Sequence, residues 1–347
     1  MAAKPKPKGP QVSKLAPTNI RLDWAADGSP IWTHTPPDKA LVDSGAIKWR
    51  AIWCAGYETD EQGKKHYHHL DCIPCHCPPG PQMRTQYTRA REIALLGGRG
   101  SAKSEATFAF LTNGNPVFDT ETMEPCGNPA GPSPVDITYL NSPDYSFLVL
   151  RKNAKDLRSY FERATRYFGY FGGEMTREPM GVKFPSGAYG VFDHLADEDS
   201  YEKYVGAEFT RIVLEEANQI PDERRYLKIR ASCRTSNTQM LPQIVLTYNP
   251  GGPGARWLKS RFITPGGRKQ AFDTVYTDEF SGQKRIAIFS SVDDNPYMLA
   301  AGYDKELDSL RSEDPSLYKQ WRYGDFDVQQ GQFFENFRLH PLADEPA

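Results

Sequence analysis

The sequence has no run of 18 apolar residues, no excess of charge of one sign and no dense cysteine framework, and each absence removes a class of protein. Without such a run there is no candidate membrane-spanning helix. The N-terminus carries Lys4, Lys6 and Lys8 among prolines and lacks the apolar stretch of a secretion signal, so the expectation is a soluble intracellular protein with a basic, extended start. Lys and Arg number 42 against 44 Asp and Glu, a net charge of -2. Contact with nucleic acid would therefore come from a local patch rather than the whole surface; the basic stretches are residues 151–166, 224–234 and 256–261, the last containing Trp257. Six cysteines in 347 residues are too few for a disulfide scaffold, and four of them crowd into residues 54–77. No internal repeat is visible, and the length allows one large or two moderate domains.

What is present is an alternation. Proline and glycine cluster at residues 1–40, 73–81 and 114–143, marking loops, arms or insertions. Between and after them, short apolar runs at residues 92–96, 147–150, 211–214 and 243–246 are each followed by a helical pattern. Strands buried on both faces and separated by helices predict a three-layered α/β fold with a mainly parallel central sheet. An antiparallel hairpin is expected at a sheet edge, where residues 182–184 and 188–192 flank the turn Pro185-Ser186-Gly187.

The first core strand runs into Gly97-Gly98-Arg99-Gly100-Ser101-Ala102-Lys103-Ser104 and then a helical pattern. Strand, glycine-rich turn and helix are in the order that lets backbone N–H groups converge on phosphates without intervening side chains. Lys103 would reach the outer phosphates of ATP, and Ser104 would ligate Mg2+. Ala102 departs from the usual pattern, which has glycine there. Hydrolysis also needs an acid at the end of a buried strand, and Ile212-Val213-Leu214 leads into Glu215-Glu216. Glu215 would hold the magnesium through water and Glu216 would activate the attacking water; aspartate is the more usual first acid. A third strand ends in Thr247-Tyr248-Asn249-Pro250, where a polar side chain can touch the terminal phosphate and report its loss.

Outside this pattern, Cys54, Cys72, Cys75 and Cys77, with His66, His68, His69 and His76 as alternatives, form a Cys/His-rich insertion. The Cys72-x-x-Cys75 spacing suits a structural Zn2+, and free thiols on a proline-rich insertion are the other reading.

The ordered series resembles the large terminase family of DNA-packaging motors. It comprises the loop 97–104, Val149-Leu150-Arg151-Lys152, Gly206-Ala207-Glu208-Phe209 before Glu215-Glu216, and Thr247 to Pro250. Downstream it continues with Trp257-Leu258-Lys259, Asp294-Asn295-Pro296-Tyr297 and Gly324-Asp325-Phe326. The resemblance covers about residues 82–337. It implies a RecA-like ATPase core that couples ATP hydrolysis to translocation of double-stranded DNA into a procapsid. It also implies a subunit ring on the portal protein, a small terminase subunit that delivers DNA, and a location in the infected host's cytoplasm, not in the mature virion. By the same resemblance Gln82, with Gln86 as competitor, contacts adenine, Arg99 senses phosphate charge, and Thr247 and Asn249 couple hydrolysis to movement. Arg230 or Arg234 would face a neighbouring subunit.

The expected organisation is an arm at residues 1–53, the insertion at 54–81, the ATPase core at 82–262, its C-terminal part with lid and linker at 263–337, and a tail at 338–347. The nuclease domain of the family is not expected here, and so no DNA cleavage. The competing readings are another phosphate-loop translocase or helicase, which would unwind strands, and a non-catalytic assembly module, which would turn over no nucleotide.

Overall fold

The computed structural model describes residues 80–112, 114, 139–169, 171–195 and 200–327, with the short segments 19–24, 30–35, 57–59, 61–62 and 65–67. In the short segments, strand β1 (Asn19–Trp24) pairs antiparallel with β2 (Pro30–Thr35), and β3 (Tyr57–Thr59) with β4 (Lys65–Tyr67). The core opens with helix α1 (Pro81–Tyr87), β5 (Glu92–Gly97) and α2 (Lys103–Thr112). It continues through β6 (Ser146–Arg151), α3 (Ala154–Gly169), β7 (Glu174–Arg177), β8 (Met180–Lys183), β9 (Tyr189–His194) and β10 (Arg211–Leu214). Then follow α4 (Glu223–Ala231), β11 (Gln243–Tyr248), α5 (Ala255–Leu258), β12 (Val275–Thr277) and β13 (Lys284–Ser290). Three helices close the described chain: α6 (Pro296–Ala300), α7 (Tyr303–Glu313) and α8 (Pro315–Tyr323).

Nine strands form one sheet in the order β12-β13-β5-β11-β10-β6-β9-β8-β7. From β13 to β9 every neighbouring pair is parallel, with Leu214 opposite both Leu150 and Leu246, and Tyr248 opposite Leu96. Side chains alternate across a strand, and here the alternation sorts them onto two apolar faces. Ile93, Leu95, Val149, Val213 and Val245 pack with Phe108, Tyr160 and Phe168 of α2 and α3. Ala94, Leu96, Leu150, Leu214 and Leu246 pack with Tyr226, Trp257 and Phe262 on the other side. Each such large apolar side chain contributes about 1.5–3 kcal/mol by leaving water, so the three-layered expectation is met from both faces of the sheet.

Two departures concern the sheet. The hairpin exists, with β8 antiparallel to β9, but it is not at the edge: β9 also pairs parallel with β6, and β7 adds outside β8. Strand β13 was not anticipated, although it lies beside β5 in the sheet and carries the apolar run Ile286-Ala287-Ile288-Phe289. Residues beyond 262 thus complete the same sheet as those before it.

Candidate phosphate-binding site

Strand β5 delivers the glycine-rich turn to the carboxyl ends of the parallel strands. Gly97 has φ 136°, and a Cβ there would lie 1.9 Å from the carbonyl oxygen of Ser290, so only glycine fits where β5 meets β13. Ala102 has φ 61°, the left-handed conformation that explains glycine in the usual pattern. An alanine held there costs roughly 1–2 kcal/mol. The Ala102 carbonyl nevertheless accepts from Ala106 N–H at 3.0 Å and opens α2.

The Lys103 ammonium turns back into the loop, donating to the Gly98 carbonyl at 2.5 Å and to Ser101 Oγ at 2.9 Å. Burial, with a smaller contribution from the neighbouring Arg99, brings its pKa down from 10.5 to about 7 against the opposing charge of Glu215. A lysine held by a carbonyl and a hydroxyl has no fixed counter-ion, and its charge is best met by an anion in the loop.

Behind the loop, Gln82 is fully buried. Its amide donates to the Ser101 carbonyl at 2.8 Å and the Asp294 carbonyl at 3.3 Å, while its Oε1 is buried without a partner. Gln86 donates to the Gln82 carbonyl at 3.2 Å. Both glutamines expected to meet adenine thus spend their donors inside the protein, and Gln82 braces the loop from below. Asn295 adds a second brace, donating to the Gly100 carbonyl at 2.6 Å.

Strand β10 brings the acids to the same place. The Glu215 carboxylate, 1% exposed, accepts from Ser104 Oγ at 2.9 Å on one oxygen and from Thr247 Oγ1 at 2.9 Å on the other. The serine at the start of α2, the acid at the end of β10 and the threonine near the end of β11 therefore meet, as the motif order predicts. Glu216 follows in a left-handed conformation, φ 53°, its side chain 44% exposed and its Oε1 2.8 Å from the Arg151 guanidinium. Burial raises the pKa of its carboxyl and the charge of Glu215 adds to this, with Arg151 opposing. Arg151 also approaches Glu215 at 3.6 Å. Asn249 Oδ1, past the end of β11, is buried without a hydrogen-bond partner.

Other expected residues have different surroundings. Arg99 lies with its guanidinium 3.5 Å from the centroid of the Trp321 ring. Arg230, expected to face a neighbouring subunit, is paired with the buried carboxylate of Glu92 at 2.9 Å, and Arg234 is paired with Glu208 at 3.1 Å. Within the basic stretches, Arg261 is buried against Glu92 and Glu223, and Trp257 donates to the Ile220 carbonyl at 2.7 Å. Arg230, Arg261 and Trp257 thus help to hold the fold together, while Arg234 is half exposed. Glu92 itself was missed, as was the contact of Arg151 with both acids. The available signal was a lone carboxylate opening an apolar strand, which once buried needs cationic partners.

Cys54, Cys72, Cys75, Cys77, His68, His69 and His76 lie outside the described residues, and His66 falls on β4 with its side chain outside them. Among the described residues no group of three or more His, Cys, Asp or Glu is placed to hold a metal ion. Also among them, no helix is long and apolar enough to cross a membrane.

With this geometry in place, comparison with known proteins adds the following. Residues 172–325 match the family profile described as phage terminase large subunit, a stretch that contains Glu215, Glu216, Thr247 and Asn249. Among solved structures the chain is similar to the large terminase from a thermophilic bacteriophage, with TM-score 0.45 and 15% identity, covering 68% of this chain and 48% of that one. It is similar to the large terminase ATPase domain of Thermus phage P74-26, with TM-score 0.42 and 15% identity over 71% of this chain and 92% of that one. A third likeness is to the bacteriophage Phi-29 genome packaging motor assembly, with TM-score 0.36 and 16% identity over 70% and 66% of the two chains. The chain thus spans about half the length of the first of these relatives. No curated protein sequence matches it. Over residues 172–325 the chain thus resembles the phage terminase large subunit family.

Proposed function

We propose that this chain hydrolyses ATP and is the motor domain of a terminase large subunit, coupling turnover to the movement of double-stranded DNA into a procapsid. The observation that carries this reading is the meeting of Ser104 and Glu215 at 2.9 Å beside the half-buried Lys103, with Glu216 next in the chain. Backbone N–H groups of residues 100–104 and the Lys103 ammonium would hold the nucleotide phosphates. The hydroxyl of Ser104 and the carboxylate of Glu215 are hard oxygen donors that suit Mg2+. When bound, that ion neutralises charge building on the phosphates. Glu216 takes the proton of the attacking water, a role its raised pKa favours. Thr247 holds Glu215 from β11, so a shift at either acid reaches Asn249 two residues on.

The family relation supports double-stranded DNA, the portal protein, the small terminase subunit and a ring of like subunits as partners, at the portal in the infected cell. DNA would be held by its backbone without regard to sequence, since a motor that reads bases would stall on most of its track. A structural Zn2+ on Cys54, Cys72, Cys75 and Cys77 rests on their spacing; metal analysis of protein purified without chelator or histidine tag decides it. The test of the main proposal is steady-state ATP hydrolysis over a range of protein concentrations, with and without double-stranded DNA, by the chain and by Glu216→Gln. Turnover that falls about 100- to 10,000-fold in the variant is expected; hydrolysis indifferent to Glu216 would overturn the assignment.

A further inference from the structure

Helices α2 and α3 meet in an aromatic layer that carries two matched hydroxyl pairs. Phe108 of α2 packs against both Tyr160 and Tyr167 of α3, with ring centroids 4.7 and 5.3 Å away. Tyr160 OH lies 2.7 Å from Thr107 Oγ1, and Tyr167 OH lies 3.0 Å from Thr112 Oγ1. All four hydroxyl-bearing side chains are buried. A threonine hydroxyl has one proton to give. Thr107 gives it to the Ser104 carbonyl at 2.7 Å and Thr112 to the Phe108 carbonyl at 2.8 Å, so in each pair the tyrosine is the donor. Burial and the charge of Glu215 push the Tyr160 pKa well above its ordinary value, which keeps that proton in place.

The reaction as described uses neither pair, and phenylalanine at 160 or 167 would fill the same layer without a polar atom to satisfy. The two differ in where each line of hydrogen bonds ends. From Tyr167 it ends at Phe108, in the second half of α2. From Tyr160 it runs through Thr107 to the main chain of Ser104, whose hydroxyl meets Glu215 at 2.9 Å. The first turn of a helix depends on such outside fastening, because its opening N–H groups have no partner within the helix. Arg163, three residues beyond Tyr160 on α3, fastens the same turn a second time through Glu105 at 2.5 Å. We infer that Tyr160 is a positioning residue for the Ser104 hydroxyl, and that through Thr107 it sets Ser104 and Glu215 for a divalent cation before nucleotide arrives. The inference rests on the proposal above that nucleotide and Mg2+ occupy the loop, and it names what holds their hydroxyl ligand in place. Mg2+ tolerates little departure from octahedral geometry. A small tilt of the turn therefore weakens binding of the cation more than binding of the phosphates.

The experiment is calorimetry with a non-hydrolysable ATP analogue, with and without Mg2+, on the parent chain, Tyr160→Phe, Thr107→Val and Tyr167→Phe, beside denaturant unfolding of each. Tyr167→Phe is the matched control, since it removes the same kind of hydrogen bond at the far end of α2. Tyr160→Phe and Thr107→Val are expected to weaken binding in the presence of Mg2+ by roughly two- to tenfold, the range of one hydrogen bond, and to leave binding without Mg2+ unchanged. Tyr167→Phe should lower the denaturation midpoint as Tyr160→Phe does, yet bind as the parent does under both conditions. Equal affinity of Tyr160→Phe and the parent in Mg2+, or equal losses in Tyr160→Phe and Tyr167→Phe, overturns the inference and leaves the ATPase proposal standing. Binding by the parent that ignores Mg2+ also overturns it. No binding by the parent under either condition overturns both.

Discussion

The two ends of β5 both concentrate buried charge, and they do so in opposite ways. At the start of the strand the Glu92 carboxylate, fully buried, accepts from Arg261 at 2.8 and 2.9 Å, Arg230 at 2.9 Å, Arg285 at 3.1 Å and the Tyr226 hydroxyl. Glu223 and Asp278 pair with the outer sides of Arg261 and Arg285. At the far end, Lys103 is hydrogen-bonded only to a carbonyl and a hydroxyl, and Glu215 accepts from two hydroxyls, with the Arg151 guanidinium 3.6 Å away. There Gln82 Oε1, Arg151 Nε and Asn249 Oδ1 are buried without hydrogen-bond partners. A buried charge saturated by opposite charges is part of the architecture. A buried charge held by replaceable neutral groups, among unpartnered polar atoms, is arranged for something that arrives.

The comparison breaks most visibly through Lys103. Lys103→Ala removes the one ammonium in the loop, and ATP turnover is expected to fall about a hundred- to a thousandfold, with denaturant unfolding nearly unchanged. A variant that instead unfolds at much lower denaturant while retaining turnover would make the loop end architectural after all.

Glu92→Ala should do the reverse. It leaves three guanidiniums without their shared carboxylate, and a loss of roughly 3–5 kcal/mol is expected from unpairing a buried charge cluster, read as a lowered denaturation midpoint. The same group sets an acid limit. Burial works to raise the Glu92 pKa, but the hydrogen bonds and charge of Arg261, with Tyr226 and Arg285, bring it down from 4.5 to about 2. A depressed carboxylate contributes stability that is complete above its unfolded value and is lost as pH falls through the folded one. The parent chain should therefore lose stability between about pH 4.5 and pH 2 with a steeper slope than Glu92→Gln. Equal slopes in the two proteins would place the acid sensitivity elsewhere.

The smallest expected effect is at Ala102. Replacement by glycine relieves the left-handed strain but loosens the unfolded chain, so Ala102→Gly should stabilise by no more than about 1 kcal/mol. A clear loss of stability in a thermal melt would show that the methyl group makes packing contacts that outweigh the strain.

How much of this was legible in the sequence depends on how far apart the partners lie along the chain. The phosphate loop, Glu215-Glu216 and the strands bearing Leu96, Leu150, Leu214 and Leu246 are contiguous patterns, and the fold places them as expected. The Glu92 cluster was not legible, because its partners come from positions 226, 230, 261 and 285, each of which alone reads as a side chain on a helix or strand. Arg230 and Arg261 read as members of basic stretches for the same reason. Trp321 lies more than 200 residues from Arg99, and no local pattern marks a helix end that will dock on a distant turn. Strand β13 had an apolar signature, but its place beside β5 is set by the topology of the sheet and not by the run itself.

The account stands most directly on turnover and unfolding measured together on two variants, Glu216→Gln and Glu92→Gln. It predicts that Glu216→Gln loses ATP hydrolysis and keeps its denaturation midpoint, while Glu92→Gln loses stability and, under conditions where it is still folded, keeps hydrolysis. Hydrolysis that survives in Glu216→Gln, or that disappears from a stable Glu92→Gln, would contradict it.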